Sequence, residues 1–374
     1  MNWTEEQREV IETRDKNILV SAAAGSGKTA VLTERILTLV TDKEHPVDID
    51  RLLIMTFTRA AAGEMKERIS NAIDQALYEN PDNEHLQRQA ALIHNAQITT
   101  IDGFCSYIIR NYFHMVELDP GYRTAEEGEL KLLQEDVMKD LLEEAYEKAD
   151  PKFLSLVECY ASGKSDDEIR DMVYKLYQAA MSHPYPEEWL EECMEVYRVQ
   201  TIEELRETSW IQLLWETLDE KLDQAEALTE SARKICNEPD GPYFYDEALV
   251  DDLNFWREVR RCRETKDYDK VADILSGHTF AKLSAKRDSS IDPVKKEQAK
   301  ELRDEEKEIC KDLSTKFFNQ KEEILLELIA CAREPLEGLV ELTLQFKEAF
   351  SSKKREKNLL DFTDMEHFAL RILV

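Results

Sequence analysis

The sequence is short of what would make it a membrane, disulfide-built or disordered protein. No apolar run approaches the roughly 18 residues that span a bilayer. The first residues, Met1-Asn2-Trp3-Thr4-Glu5-Glu6-Gln7, lack the basic-then-apolar pattern of a secretory signal. Seven cysteines are scattered at 105, 159, 193, 236, 262, 310 and 331 with no C-x-x-C pair. That pattern disfavours a disulfide frame or a zinc site and fits reduced thiols in the cytoplasm. Glycine and proline number only 10 each, too few for long disordered linkers. Positive charge is scarce as well: 49 Lys and Arg stand against 79 Asp and Glu, a net charge of −30. Residues 1–124 carry a balance of −6 and the rest −24. Net charge governs solubility and steering, whereas a nucleic-acid groove needs only a local basic strip. The acidity therefore lowers the expectation of DNA binding without excluding it.

What is present is long enough for two or three domains, with 42% hydrophobic and 34% charged residues, as in a helix-rich globular protein. The most informative stretch is Ala22-Ala23-Ala24-Gly25-Ser26-Gly27-Lys28-Thr29 after the apolar run Ile18-Leu19-Val20. It reads as a phosphate-binding loop between a strand, Asn17 to Ala22, and a helix opening at Lys28. Gly25 and Gly27 permit the torsions that aim several backbone amides at one anion. Lys28 can reach the β- and γ-phosphates, and the Thr29 hydroxyl can ligate an accompanying Mg²⁺. The first position of the usual pattern, a glycine, is Ala22 here, a small side chain.

Thr4 and Gln7 form a capping signature for the first helix. Arg51 to Phe57 reads as a second buried strand, followed by a helix from Thr58 with Ala60, Ala61, Met65, Ile69 and Ile73 on its apolar side. Gln97 to Ile101 reads as a third strand leading into a helix with Phe104, Ile108 and Ile109. Three strand–helix alternations predict a parallel sheet with ligands at the carboxyl ends of its strands. The fold class expected is therefore α/β, an incomplete P-loop NTPase (RecA-like) sheet carrying a large all-α inserted domain. The expected boundaries are 1–124 for the motor part, 125–352 for the acidic helical insertion and 353–374 for the return. In the insertion, Leu130, Leu133, Val137, Leu141 and Leu142 make one stripe and Leu213, Leu214, Leu218 and Leu222 another. Lys353-Lys354-Arg355-Glu356-Lys357 precedes Leu359-Leu360-Asp361-Phe362, with a capping box expected at Thr363 to Glu366. The pattern stops at Val374 in mid-helix, which suggests an N-terminal piece of a longer protein.

Thr4-x-x-Gln7, AAAGSGKT, Thr56-Phe57-Thr58 with Ala60 to Met65, and Thr100-Ile101-Asp102-Gly103-Phe104-Cys105 together resemble the ordered motifs of superfamily 1 UvrD-like helicases. The AAAGSGKT form, the stretch LDPGYR and Leu360-Asp361-Phe362 are similar to the larger, helicase-bearing component of AddAB-type helicase–nucleases. The motifs cover mainly 3–125 and 353–374. The resemblance implies ATP and Mg²⁺ bound by Gln7, residues 22–29 and, for the metal, Thr29. Lys28 and Thr29 are then the catalytic residues present. Gln7 has two open roles, helix capping and pairing with the adenine edge. Thr56, Thr58 and Arg59 match the segment holding single-stranded DNA, although the family commonly has Asn where Arg59 stands. Phe104 matches a third motif and is open between core packing and base stacking; Asp102, where the family commonly has His, would repel phosphate. Clusters at Lys282, Lys286 and Arg287, at Lys295, Lys296 and Lys300, and from Lys353 are open between solvated helix faces and DNA contacts.

The family's acidic Mg²⁺-binding motif, Asp-Glu followed by Gln-Asp, is not in the chain. The resemblance also leaves the arginine finger, second motor domain and nuclease domain outside it. The expectation is an ATP-dependent DNA helicase with exonuclease activity in the parent protein, forming a heterodimer with a B-type helicase/nuclease partner in double-strand break repair. The fragment alone should hydrolyse ATP negligibly, since phosphoryl transfer rests on positioning and charge neutralisation. Alternatives are a stand-alone repair helicase and a non-enzymatic nucleotide-gated interaction module.

Overall fold

Small polar residues decide where the early helices begin. The computed structural model describes residues 3–23, 25–42, 44–161 and 165–374. Thr4 caps α1 (Glu5–Glu12): its hydroxyl accepts the Gln7 amide at 3.3 Å, and Gln7 Oε1 accepts the Thr4 amide at 3.0 Å. Helix α2 (Lys28–Val40) starts from Gly27 with no side-chain cap. Strand β1 (Leu53–Thr56) leads to α3 (Arg59–Glu79), capped by Thr58, and then α4 (Glu84–Leu92), capped by Asn83. Strand β2 (Gln97–Thr100) runs directly into α5 (Ile101–Tyr112), with Thr100 as its cap.

β1 and β2 are parallel and in register from Leu53↔Gln97 to Thr56↔Thr100. Their cores meet α2, α3 and α4 through Ile36, Val40, Ile54, Met65, Ile69, Ile73 and Ile98. Gln89 is wholly buried there because both ends of its amide are bonded, to the Ile49 amide at 2.8 Å and Asp48 Oδ1 at 2.6 Å.

The expected strand Asn17 to Ala22 does not form. That stretch has no ladder partner among the described residues, and Leu19 is 98% exposed. A strand buried in a parallel sheet needs neighbours and covering helices, and here β1 and β2 pair only with each other. The sheet of three early strands is thus a sheet of two, in a mostly helical chain.

A second parallel pair is very short: β3 (Arg123–Thr124) beside a later strand, with α6 (Glu127–Lys148) following β3. The chain then continues through α7 (Pro151–Tyr160), α8 (Asp167–Met181), α9 (Pro186–Glu195), α10 (Ile202–Glu207) and α11 (Ser209–Cys236). α12 (Asp246–Glu264), α13 (Tyr268–Gly277), α14 (Pro293–Asp312), α15 (Glu322–Glu356), β4 (Leu359–Leu360) and α16 (Phe362–Leu373) complete it. β4 is the partner of β3, pairing Arg123↔Leu359 and Thr124↔Leu360. The chain divides into two compact units, 1–137 with 349–374 and 138–348, against the expected boundaries at 125 and 352.

In the second unit every described element is helical. The buried stripe of α11 is Ile211, Trp215, Leu218, Leu222 and Ala225; Leu213, expected in it, is 61% exposed. The 3.6-residue period selects the first set once Ile211 anchors it. α12 and α14 carry a buried polar group: Arg303 forks onto Asp252 at 2.5 and 3.0 Å, and Trp256 Nε1 donates to Glu306 Oε1 at 2.6 Å. No described helix in either unit is long and apolar enough to cross a membrane.

The cap of the return helix α16 falls two residues before the expected one. Asp361 caps it, with Asp364 completing the box, in place of Thr363 and Glu366. The reason is Lys354, which is 2% exposed and donates to Asp361 Oδ2 and Asp364 Oδ1, each at 2.7 Å. Its ammonium also lies 4.4 Å from the centre of the Phe350 ring. Burial pushes the Asp364 carboxyl above its usual value even though Lys354 pulls it down.

Candidate nucleotide and single-strand sites

Two left-handed glycines shape the loop between residue 22 and α2. Gly25 has φ +79° and Gly27 φ +82°, torsions that L side chains rarely adopt. Ala24 lies outside the described residues. The Ser26 amide donates to the Ala23 carbonyl at 3.3 Å, which tightens the bend. The Val31 amide closes the first turn of α2 on the Gly27 carbonyl at 3.0 Å, so the amides before it have no intrahelical acceptor. Those amides and the helix dipole make an anion site.

Lys28 is solvent-exposed, and its ammonium donates to the carbonyls of Ala22 at 2.8 Å and Ala23 at 3.0 Å. A cation is thereby held inside the bend, within reach of any anion on the helix end. Thr29 is exposed one residue on, offering one hydroxyl oxygen to a hard cation. The donor set of amides, an ammonium and one hydroxyl fits a magnesium-bound triphosphate.

Gln7 serves the cap and the loop at once. Its Oε1 completes the α1 capping box while its Nε2 donates to the Ser26 carbonyl at 3.2 Å. A Cβ on Gly27 would stand 3.9 Å from that nitrogen. Arg35 ties α2 to the end of α1 through the carbonyls of Val10 at 2.5 Å and Thr13 at 2.7 Å.

At the carboxyl ends of the paired strands, the Thr56↔Thr100 register sets the starts of α3 and α5 side by side. Thr56 and Thr58 are engaged locally: Thr56 Oγ1 donates to the Thr58 carbonyl at 2.9 Å, and Thr58 Oγ1 accepts the Ala61 amide at 3.1 Å. Between them Phe57, expected to end the buried strand, lies beyond β1 and is 98% exposed. Beside these helix starts runs a groove of about 580 Å³ whose lining includes Arg59, Lys66, Thr100, Gly103, Arg110 and Phe362. Gly103 lets the start of α5 sit close against the end of β2, since a Cβ there would lie 2.2 Å from Thr99 Oγ1.

Phe104 does not line this groove. It is half-buried and packs against the core of Cys105, Ile108, Ile109, Leu360, Met365 and Phe368. Asp102 does line it, as the one carboxylate among the lining residues. In the basic clusters of the second unit three members are engaged by neighbours: Lys295 bridges to Glu238 and Asp240, Lys300 to Glu297, and Lys286 donates to Tyr243. Lys353 pairs with Glu356. Sequence spacing carries no signal for Lys66, Arg110 and Phe362, because only the β1–β2 register and the α5–α16 packing gather them.

A family model described as the UvrD/REP helicase N-terminal domain matches residues 3–374. A protein of Lachnoclostridium phytofermentans, named as the A subunit of an ATP-dependent helicase/nuclease, is 48% identical over 100% of this chain and 27% of its own length. Proteins of the same name from Clostridium perfringens, 42% identical over 100% of the chain, and Bacillus pumilus, 38% identical over 99%, are matched over 29% and 30% of their lengths. The chain thus spans less than a third of these relatives.

Proposed function

The chain belongs to the UvrD/REP helicase N-terminal domain family, and on that premise we propose that it is the nucleotide-binding end of an ATP-driven DNA helicase–nuclease. Membership carries the P-loop NTPase fold with it. The observation that most supports an ATP site is the loop itself: Gly25 and Gly27 at positive φ running into α2, with the Lys28 ammonium inside the bend. ATP would be held by residues 22–29, its phosphates by the loop amides and Lys28, and Mg²⁺ by the Thr29 hydroxyl. Bound Mg²⁺ neutralises phosphate charge, which is the chemistry it supplies. Lys28 adds a second positive charge, and Gln7, tethered to Ser26, stands where the base of a nucleotide could meet an amide. Single-stranded DNA would follow the strand tips, with Arg59 and the α3 start on phosphate and the exposed Phe57 offering a stacking face.

The helicase/nuclease name of the relatives supports a B-type partner for this chain. The proposal extends to a role in double-strand break processing and recombinational repair, in the cytoplasm, as the resemblance of the motifs to AddAB-type helicase–nucleases implies. The test is ATP turnover with and without single-stranded DNA, on this chain and on a longer form carrying the acidic motif. DNA-stimulated turnover in the longer form alone fits the proposal. ATP binding without turnover in either form would favour a nucleotide-gated interaction module.

A further inference from the structure

Helix α1 is too short to hold itself in place. Its 8 residues fall below the roughly 12–15 that an isolated helix needs in water, and Ile11 is the one residue it buries. Its last turn holds no basic residue to meet the negative end of its dipole. Two guanidinium groups from outside the helix meet it instead. Arg14 Nη1 donates to the carbonyls of Ile11 at 2.7 Å and Thr13 at 3.2 Å. Arg35 Nη1, from the middle of α2, donates to those of Val10 at 2.5 Å and Thr13 at 2.7 Å. Neither arginine has an ion-pair partner among the described residues, although the chain carries a net charge of −30. Burial and the neighbouring Arg14 charge both pull the Arg35 pKa below its ordinary value, so its place is set by the carbonyls it holds and not by a counter-ion.

The other end of α1 carries Gln7. Its bond from Nε2 to the Ser26 carbonyl joins the helix to the phosphate loop, but that bond is exposed and by itself a weak tether. Gln7 and Thr13 lie about 9 Å apart along the helix axis, at 1.5 Å per residue. A rod of that length clamped at one end holds the other end still. Arg14 follows α1 directly in the chain and cannot tie it to α2, whereas Arg35 stands on α2 itself. The Gln7 amide also keeps hydrogen-bonding capacity to spare. Oε1 accepts the Thr4 amide and Nε2 donates to Ser26, which leaves one lone pair and one N–H. Those two match adenine, which offers the N6 donor beside the N7 acceptor; guanine offers two acceptors on the same edge and leaves Oε1 unmatched.

We propose that Arg35 is a positioning residue for base recognition: by clamping the carboxyl end of α1 to α2 it holds the Gln7 amide in one orientation at the loop, and so sets the preference of the site for an adenine nucleotide. This role rests on the nucleotide reading above and adds to it a residue that touches no nucleotide. An amide fixed at the loop presents its lone pair and N–H to one edge of the base. Released from the clamp it turns, and an amide that can turn pairs with guanine as well as with adenine. The phosphates are gripped by other groups, the loop amides and Lys28, and do not depend on the clamp.

The experiment is competition of ATP, GTP and inorganic tripolyphosphate, each with Mg²⁺, against a ribose-labelled fluorescent ATP bound to the full chain. The unmodified chain is expected to prefer ATP to GTP by about tenfold, the discrimination of one bidentate amide. Arg35→Met is expected to bring the two affinities close to equality while tripolyphosphate binds as before. Arg35→Lys, which keeps a charge at the helix end but loses the planar fork, is expected to fall between. Gln7→Ala should abolish the preference, and adding it to Arg35→Met should change nothing further, because the two act through one contact. Thermal melts by circular dichroism show which variants are folded, and Arg35→Lys carries the test if Arg35→Met unfolds. Should Gln7→Ala abolish the preference while every folded Arg35 variant keeps it, the clamp is wrong and the role of Gln7 stands. Tripolyphosphate affinity falling in step with that for ATP in the Arg35 variants would equally overturn the clamp, since the loop itself would then be what Arg35 supports. Should the unmodified chain bind ATP and GTP alike, the adenine role of Gln7 falls and takes the clamp with it.

Discussion

At the scale of single residues, electrostatics and burial set the expectations that can be measured. Lys28 is the one side chain that places a full charge inside the phosphate loop, on the carbonyls of Ala22 and Ala23. Lys28→Ala is expected to weaken binding of a fluorescent ATP analogue by tenfold or more, since a charge-assisted contact to phosphate contributes about 1.5–3 kcal/mol. Unchanged affinity would remove the loop from the nucleotide site. Glu306 is the residue with the clearest pH consequence. Burial raises its carboxyl to about 7, with Asp252 adding to the rise, while Trp256 and Arg303 oppose it. The Thr229 hydroxyl donates to the Ala225 carbonyl at 2.8 Å, and Glu306 Oε2 has no hydrogen-bond partner. A raised carboxyl keeps its proton in the folded state and loses it in the unfolded one, so stability falls as the pH rises from about 4.5 to about 7. The loss from this group is up to about 3 kcal/mol. Glu306→Gln, which can still accept from Trp256, is expected to flatten that part of the pH–stability curve. Urea unfolding of the two forms at pH 5 and pH 7.5 checks it, and parallel curves would refute it.

At the scale of elements, caps and registers carry the argument. The cap expected at Thr4 has its hydrogen bonds in place, and Thr58, Asn83 and Thr100 cap α3, α4 and α5 through their side chains. The α16 cap falls at Asp361 because a buried lysine, seven residues earlier, selects which acid turns inward. Lys354→Met is expected to destabilise the first unit by roughly 3–5 kcal/mol, because it strands two acids in a low-dielectric site. The deficit should shrink as the pH falls and the freed carboxylates take up protons. A urea midpoint unchanged at neutral pH would show that Lys354 is not the anchor of this turn. The missing strand at 17–22 is a lesson at the same scale. An apolar run bounded by turn residues signals a strand only if ladder partners stand on the right edge, and hydrogen bonding to neighbours is not a property of the run.

At the scale of the molecule, a chain of net charge −30 should bind duplex or single-stranded DNA only through its local cations. The logarithm of single-strand affinity is expected to fall with the logarithm of salt at a slope of about −2, as for roughly three phosphate contacts. A slope near zero in fluorescence anisotropy of a labelled oligonucleotide across a salt series would mean that the groove cations meet no backbone. The Asp252–Arg303 pair makes a separate statement about the second unit, where each charge is 1% exposed. Losing one partner leaves the other buried without compensation, which makes the pair a determinant of how α12 and α14 meet.

Periodic and local features were legible in the sequence by itself: the tight turn with its two glycines before α2, the first capping box, the β1 and β2 strands followed by their helices, and an acidic helical stretch. These depend on interactions within a few residues, which the order of side chains states directly. Only the tertiary structure decided that the first apolar run stays unpaired, that Phe104 packs half-buried away from the groove, that Lys354 is buried, and that Arg59, Lys66, Arg110 and Phe362 share one groove. Each of those outcomes depends on residues tens or hundreds of positions apart meeting in space, and no spacing along the chain encodes the strand register and helix packing that bring them there.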